Sequence, residues 1–174
     1  MNNKDQIKIF IVEDNIVFTL ALKADIEASF TNRPVKIYTF ETGEECKKTF
    51  NLEKPQVVIL DYYLNSKNPN AENGINVLDW IKKEKPETNV IMLTNNDNLD
   101  IALKSIKHGV SDYVVKTETK FRKINISLSN IFKLMEEKNR AKRYMYMAIG
   151  LSLSIALMVG GLVAIQIFEP SVFK

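Results

Sequence analysis

The sequence predicts an α/β fold: one five-stranded parallel sheet, doubly wound by helices on both faces, with a single apolar helix after it. Three observations predict it. Short β-branched runs alternate with helical periodicities along residues 7–137, polar side chains stand at the carboxyl ends of most of those runs, and residues 144–168 carry no charge. Strands separated by helices return in the same direction, so the sheet is parallel and needs cover on both faces.

Each element has its own signal. The run Ile7-Lys8-Ile9-Phe10-Ile11-Val12 is mostly β-branched or aromatic and stops at Glu13 and Asp14, as a buried strand ending in two carboxylates would. A helix follows, in which Val17, Leu20, Ala21, Ala24 and Ala28 recur at three- and four-residue spacing as its apolar face. Residues 35–40 read as the second strand, and Thr42-Gly43-Glu44-Glu45 has the form of a capping box opening a helix that ends before Pro55. Residues 57–60 form a third, continuously apolar strand that ends in Asp61. A longer polar loop, 65–73 with Pro69, leads to a helix containing Ile75, Leu78 and Ile81. Residues 89–93 make a fourth strand ending in Thr94, 101–106 lie in a helix closed by Gly109, and 112–115 make a fifth strand ending in Lys116.

The polar residues carry the chemistry. Open parallel sheets bind ligands outside the carboxyl ends of their strands. Glu13, Asp14, Asp61, Thr94 and Lys116 therefore gather three carboxylates, a hydroxyl and an ammonium at one edge. Three close carboxylates repel unless a cation sits among them, and hard oxygen ligands suit Mg²⁺. An Asp61 carboxylate beside such an ion is placed to attack a phosphoryl group, with Lys116 and the Thr94 hydroxyl meeting the phosphoryl oxygens. Taken alone, the acidic pair is explained as well by a helix dipole that favours anions; only its convergence with Asp61 and Lys116 points to a metal. His108, next to Gly109 at a helix end, reads as an exposed or dipole-complementing histidine.

In this order and placement the motifs resemble the receiver domains of two-component response regulators, which have a flavodoxin-like fold. Phe10-Ile11-Val12-Glu13-Asp14 looks like that family's first strand and acidic pair, and Val58-Ile59-Leu60-Asp61 like its phosphoacceptor strand. Ile91-Met92-Leu93-Thr94 looks like its switch strand, and Asp112-Tyr113-Val114-Val115-Lys116 like its last strand. The resemblance implies that Glu13, Asp14, Asp61 and the Tyr63 backbone carbonyl hold Mg²⁺. It also implies that Asp61 accepts a phosphoryl group from a histidine kinase, a phosphotransfer protein or a small donor, that Thr94 and Tyr113 form a switch pair, and that Lys116 binds the phosphate. The implied function is signalling rather than enzymatic turnover. The chain departs from the family at four places: a longer loop after Asp61, Leu64-Asn65 for methionine and proline, Asn95 for a small residue bordering the route of water, and Thr117 for the proline after the lysine. Asn95 and Thr117 keep a second reading open, a receiver-like membrane docking module without physiological phosphorylation. A haloacid-dehalogenase-like phosphatase also uses an aspartate after a strand, but it expects a second aspartate where this chain has Tyr63.

The C-terminal third sets the expected location. At about 1.5 Å of rise per residue, residues 144–168 would span about 37 Å, enough for a bilayer core. Residues 119–143 carry eight basic and two acidic side chains, with Lys138, Arg140, Lys142 and Arg143 just before the apolar stretch. Such a flank predicts a receiver (1–137) in the bacterial cytoplasm, a basic juxtamembrane segment (138–143) attracted to anionic lipid, a single transmembrane helix (144–168) and a short tail (169–174). Nucleic acid is not expected as a partner, because no helix-turn-helix fits between the last strand and the span. Phe121, Ile124, Leu128, Ile131 and Met135 mark one apolar seam in the helix that leads there. Ala148, Ser152, Ala156, Gly160 and Ala164 recur every four residues, a small-residue face suited to a homodimer in lipid. The lone Cys46 excludes an internal disulfide.

Overall fold

The computed structural model describes residues 6–64, 72–95 and 99–168, with the backbone alone at Leu99, Leu162 and 164–168. Strands and helices alternate as β1 (Ile7–Val12), α1 (Ile16–Ser29), β2 (Val35–Phe40), α2 (Gly43–Glu53), β3 (Val57–Asp61), α3 (Gly74–Glu84), β4 (Asn89–Thr94), α4 (Leu99–Lys107), β5 (Asp112–Val115) and α5 (Lys120–Phe168). The sheet is parallel throughout, in the order β2-β1-β3-β4-β5, so the chain reverses its winding direction beside β1 and β3. That reversal opens a crevice at the carboxyl ends of the two central strands. Contacts divide the chain into two units, 1–129 and 130–174.

In the first unit the pleat sends alternate residues to opposite faces. Phe10, Val12, Val58, Leu60, Val90 and Met92 pack with Cys46 and Phe50 of α2 and with Ile75, Val77, Leu78 and Ile81 of α3. Ile9, Ile11, Ile59, Ile91 and Leu93 are also fully buried and, by the same alternation, face the other way. On that side α1 and α5 meet through Phe18 and Phe121, whose ring centroids are 5.6 Å apart, and through an Asn125 amide that donates to Asp25 at 2.8 Å. Capping side chains begin three helices: Asn15 accepts from the Phe18 N–H, Thr42 from Glu45 and Asn73 from Asn76. The second half of the expected capping box reaches one residue further back, since Glu45 accepts from the Glu41 N–H at 3.2 Å. Helix α2 ends through a left-handed Lys54 (φ 50°) just before Pro55.

One expectation fails in α1. The periodic set Val17, Leu20, Ala21, Ala24 and Ala28 lies on the exposed face, with Val17 78% and Leu20 61% accessible, and the buried residues are Thr19, Leu22 and Ile26. Apolar residues surround nearly the whole of this helix, so spacing alone selects no unique face. The buried face is the one carrying Leu22 and Ile26, both fully buried, together with Thr19, whose hydroxyl donates to the Glu13 carbonyl at 3.5 Å.

Along α5, Ile124, Leu128, Ile131 and Phe132 are buried, while Phe121 and Met135 are half-buried. In the second unit every described side chain from residue 136 onward is exposed, including Leu151, Leu153, Leu157 and Met158 at 60 to 78%. This helix is long and apolar enough to cross a bilayer, and none of its most apolar window is buried. Most of the long loop after Asp61, including Pro69, and the tail after Phe168 lie outside the described residues.

Candidate functional site

The site is built by strand ends and by the backbone bonds that extend the sheet one step past them. Beyond β1 the Glu13 N–H donates to the Phe40 carbonyl at 3.0 Å, and beyond β3 the Tyr62 N–H donates to Leu93 at 2.9 Å. The Lys116 N–H donates to the Thr94 carbonyl at 2.8 Å. The next bond depends on a departure from the resembled family. Thr117 donates its own N–H to the Val115 carbonyl at 2.8 Å, which no proline could do, and so curls the chain immediately after Lys116.

These extensions bring together Glu13, Asp14 and Asp61, all at most 6% exposed, with one carboxylate oxygen from each inside a 4.8 Å group. The Lys116 ammonium bridges two of them, 2.5 Å from Glu13 Oε2 and 2.8 Å from Asp61 Oδ2. Glu13 Oε1 also accepts the Asn15 N–H at 3.2 Å, where the chain turns into α1. One ammonium among three buried carboxylates leaves the group negative. Burial first, then the Asp61 charge, pushes the Glu13 carboxyl up to about 7 against the pull of Lys116. Asp61 is raised as well, by burial, with Lys116 opposing.

A divalent cation fits this donor set. The ligand atoms are hard oxygens, and Asp61 Oδ1 is buried with no hydrogen-bond partner, a condition that coordination would relieve. A cavity of about 600 Å³ opens above the acids, lined by Glu13, Asp14, Asp61, Tyr63, Asn95 and Lys116 and walled by Phe18. Thr94 is fully buried at the end of β4, and Asn95, the next residue, faces the cavity. Tyr113 sits on β5 opposite Met92, packed against the apolar cluster on the α2 and α3 side. His108 is not isolated: its Nδ1 pairs with the Asp79 carboxylate of α3. Cys46 is buried and its thiol is pushed up to about 12, which leaves it unreactive.

Three contributors carry weak or ambiguous sequence signals. Gly74 opens α3 against the end of β3, donates to the Tyr62 carbonyl at 2.9 Å, and leaves room for nothing more, since a Cβ there would stand 2.4 Å from the Asp61 carbonyl oxygen. Phe18 places its ring 4.8 Å from the Lys116 ammonium. Lys120, the first residue of α5, lines the same cavity. A glycine at a helix start was the only local hint of the first, and nothing local distinguished the other two.

Residues 9–126 match the model of the response regulator receiver domain family. The luminescence regulatory protein LuxO of Vibrio campbellii is 26% identical over 132 residues, covering 75% of this chain and 27% of LuxO. The probable C4-dicarboxylate response regulator DctR of Bacillus subtilis is 33% identical over 78 residues, covering 45% of this chain and 32% of DctR. This chain thus matches about a third or less of each of these regulators. Among solved structures, the receiver domain of a LuxO repressor protein from Vibrio parahaemolyticus superposes with a TM-score of 0.64 at 25% identity, covering 77% of this chain and 95% of that one. The BeF3-activated receiver domain of DrrB from Thermotoga maritima gives 0.60 at 26% identity, covering 74% and 98%.

Proposed function

The chain belongs to the response regulator receiver family, phosphoacceptor signalling domains rather than classical enzymes, and from that premise we propose that Asp61 receives a phosphoryl group and that the chain carries the resulting state at a membrane. The observation that carries the first half is the buried group itself: three convergent carboxylates, one bridging lysine and an unpartnered Asp61 Oδ1. In this reading Glu13, Asp14, Asp61 and the Tyr63 carbonyl hold Mg²⁺, which when bound offsets the negative charge of the acids and of the incoming phosphoryl oxygens. An Asp61 carboxylate oxygen forms the new bond to phosphorus. The bond from phosphorus to the donor, a kinase histidine nitrogen or the bridging oxygen of an acyl phosphate, breaks with its electron pair going to the donor. Lys116 moves from a carboxylate to a phosphoryl oxygen, and the Thr94 hydroxyl is drawn toward the same group. Tyr113, half-buried on β5, then changes its packing, so the surface formed by α4, β5 and α5 reports the state.

The second half rests on the exposure of the apolar helix together with its basic flank. Residues 144–168 cross the bacterial cytoplasmic membrane once, 138–143 lie against anionic lipid, and the receiver faces the cytoplasm. Ser152 suits a lipid setting, since its hydroxyl donates to the Ile149 carbonyl of its own helix at 2.8 Å. The exposed small residues Ala148, Ser152, Ala156 and Gly160 would let two copies of the helix approach closely.

The test is chemical. Full-length protein with Mg²⁺ and acetyl phosphate should gain one acid-stable, base-labile phosphoryl group by intact mass, and Asp61→Asn should gain none. A variant that labels like the parent would overturn the assignment, and a parent that never labels would favour the docking module.

A further inference from the structure

Lys116 is engaged by two carboxylates, yet the cavity has a second cation. Lys120 also lines it, half-buried, with its ammonium 5.5 Å from the Phe121 ring centre and 5.9 Å from that of Phe18. One feature of this placement runs against ordinary stability, and a second leaves the charge without a counter-ion. A lysine at the first position of a helix opposes the helix dipole, and the first turn of α5 contains no acidic residue to offset it. Among the described residues, aromatic faces alone hold this ammonium, and no carboxylate is paired to it. Both features make sense if the positive end of α5 and the Lys120 charge act together on an anion at the cavity mouth.

Charge accounting favours that role. With all three acids ionised, as cation binding would require, they and Lys116 leave the cavity with two negative charges, which one bound divalent cation would cancel and no more. A phosphoryl dianion arriving there meets no net attraction unless a further positive group stands near its path. We propose that Lys120 is a specificity-determining residue for the phosphodonor, contacting the outer oxygens of a small acyl phosphate while Phe18 and Phe121 hold its side chain over the opening. The inference rests on Asp61 being the phosphoacceptor. The transfer itself is unchanged: the Asp61 oxygen bonds to phosphorus, the bond from phosphorus to the bridging acyl oxygen breaks, and the carboxylate leaves with the electron pair. Lys120 acts on binding of the donor and on the approach of its charge.

The experiment compares full-length parent, Lys120→Gln, Lys120→Arg and Asp61→Asn in mild detergent with Mg²⁺. Labelling rates are followed by intact mass across a range of acetyl phosphate concentrations and at low and high salt. Lys120→Gln should raise the half-saturating donor concentration about fivefold to tenfold, or lower the second-order rate by as much where no saturation is reached. The Mg²⁺ requirement should not rise, Lys120→Arg should recover most of the loss, and high salt should narrow the gap between parent and Lys120→Gln. Parent-like kinetics in Lys120→Gln, an arginine variant as slow as the glutamine one, or a raised Mg²⁺ requirement would each overturn the inference while leaving Asp61 as acceptor. A parent that gains no phosphoryl group would overturn both.

Discussion

The carboxyl edge of the sheet and the apolar part of α5 break the same rule in opposite directions. At the edge, Glu13, Asp14 and Asp61 are almost entirely shielded from water although each prefers to be charged. Along residues 144–163 the described leucines, methionines and isoleucines are exposed although each prefers to be buried. Globular chains seldom do either without a reason. A divalent cation would relieve the first, and in the proposed reading a hydrocarbon core would relieve the second, so the same reasoning applies to both regions. They also differ in precision. The acids must converge within a few ångströms, whereas the helix needs only length and the absence of charge.

The largest effect should come from making the apolar helix obey the rule. Replacing Leu153 and Leu157, 60% and 78% exposed, with lysine would place two charges in the hydrocarbon, at about 3 kcal/mol each. Alkaline carbonate extraction should keep the parent in the membrane pellet and release the double variant. Release of the parent itself would mean that the exposed surface is covered by a protein partner rather than by lipid.

An intermediate effect tests how closely the acidic edge is held. Gly74→Ala forces a Cβ to within 2.4 Å of the Asp61 carbonyl oxygen and 2.8 Å of the Tyr62 Cα, and both are backbone atoms that cannot swing aside. Denaturant unfolding should show a loss of about 1–3 kcal/mol, with slower labelling of Asp61. Unchanged stability would mean that the edge tolerates displacement and that convergence is less demanding than its burial implies.

The smallest effect concerns protons at the same edge. With the Glu13 carboxyl raised from 4.5 to about 7, the metal-free fold binds a proton there that the unfolded chain releases at lower pH. The stability from that proton is present in full below about 4.5 and is lost as pH rises through about 7. If Glu13 holds Mg²⁺ as proposed, the ion displaces the same proton, so its affinity should fall roughly tenfold per pH unit below 7 and level off above. Titration calorimetry from pH 6 to 8 reads this directly, and a flat profile would remove Glu13 from the cation site.

Individual elements show how far the sequence could be read. The strands are legible because β3, for example, is apolar from Val57 to Leu60 and stops at a carboxylate, a pattern that only a doubly covered strand needs. The face of α1 is not legible, because Ile16, Val17, Leu20, Leu22 and Ile26 offer more than one apolar stripe and the choice depends on contacts with other elements, the Thr19 bond among them. Thr117, where the resembled family has a proline, adds a backbone donor that shapes the turn after Lys116. The need for a bare Cα at Gly74 is not legible either, because it comes from the Asp61 and Tyr62 backbone, thirteen and twelve positions earlier along the chain.

What the sequence determined by itself is everything carried by short-range periodicity: five strands, their helices, the polar residue closing most of the strands, and an uncharged stretch long enough to span a bilayer. Those properties depend on neighbours a few residues apart, whose geometry the backbone sets in advance. Which of the polar residues converge, and which ammonium bridges them, follows from the tertiary fold. Lys116 lies 103 residues from Glu13 and 55 from Asp61, yet it touches both. Only the crossing order of the sheet, together with backbone bonds that continue it past β1, β3 and β5, brings groups so distant in the chain within 3 Å.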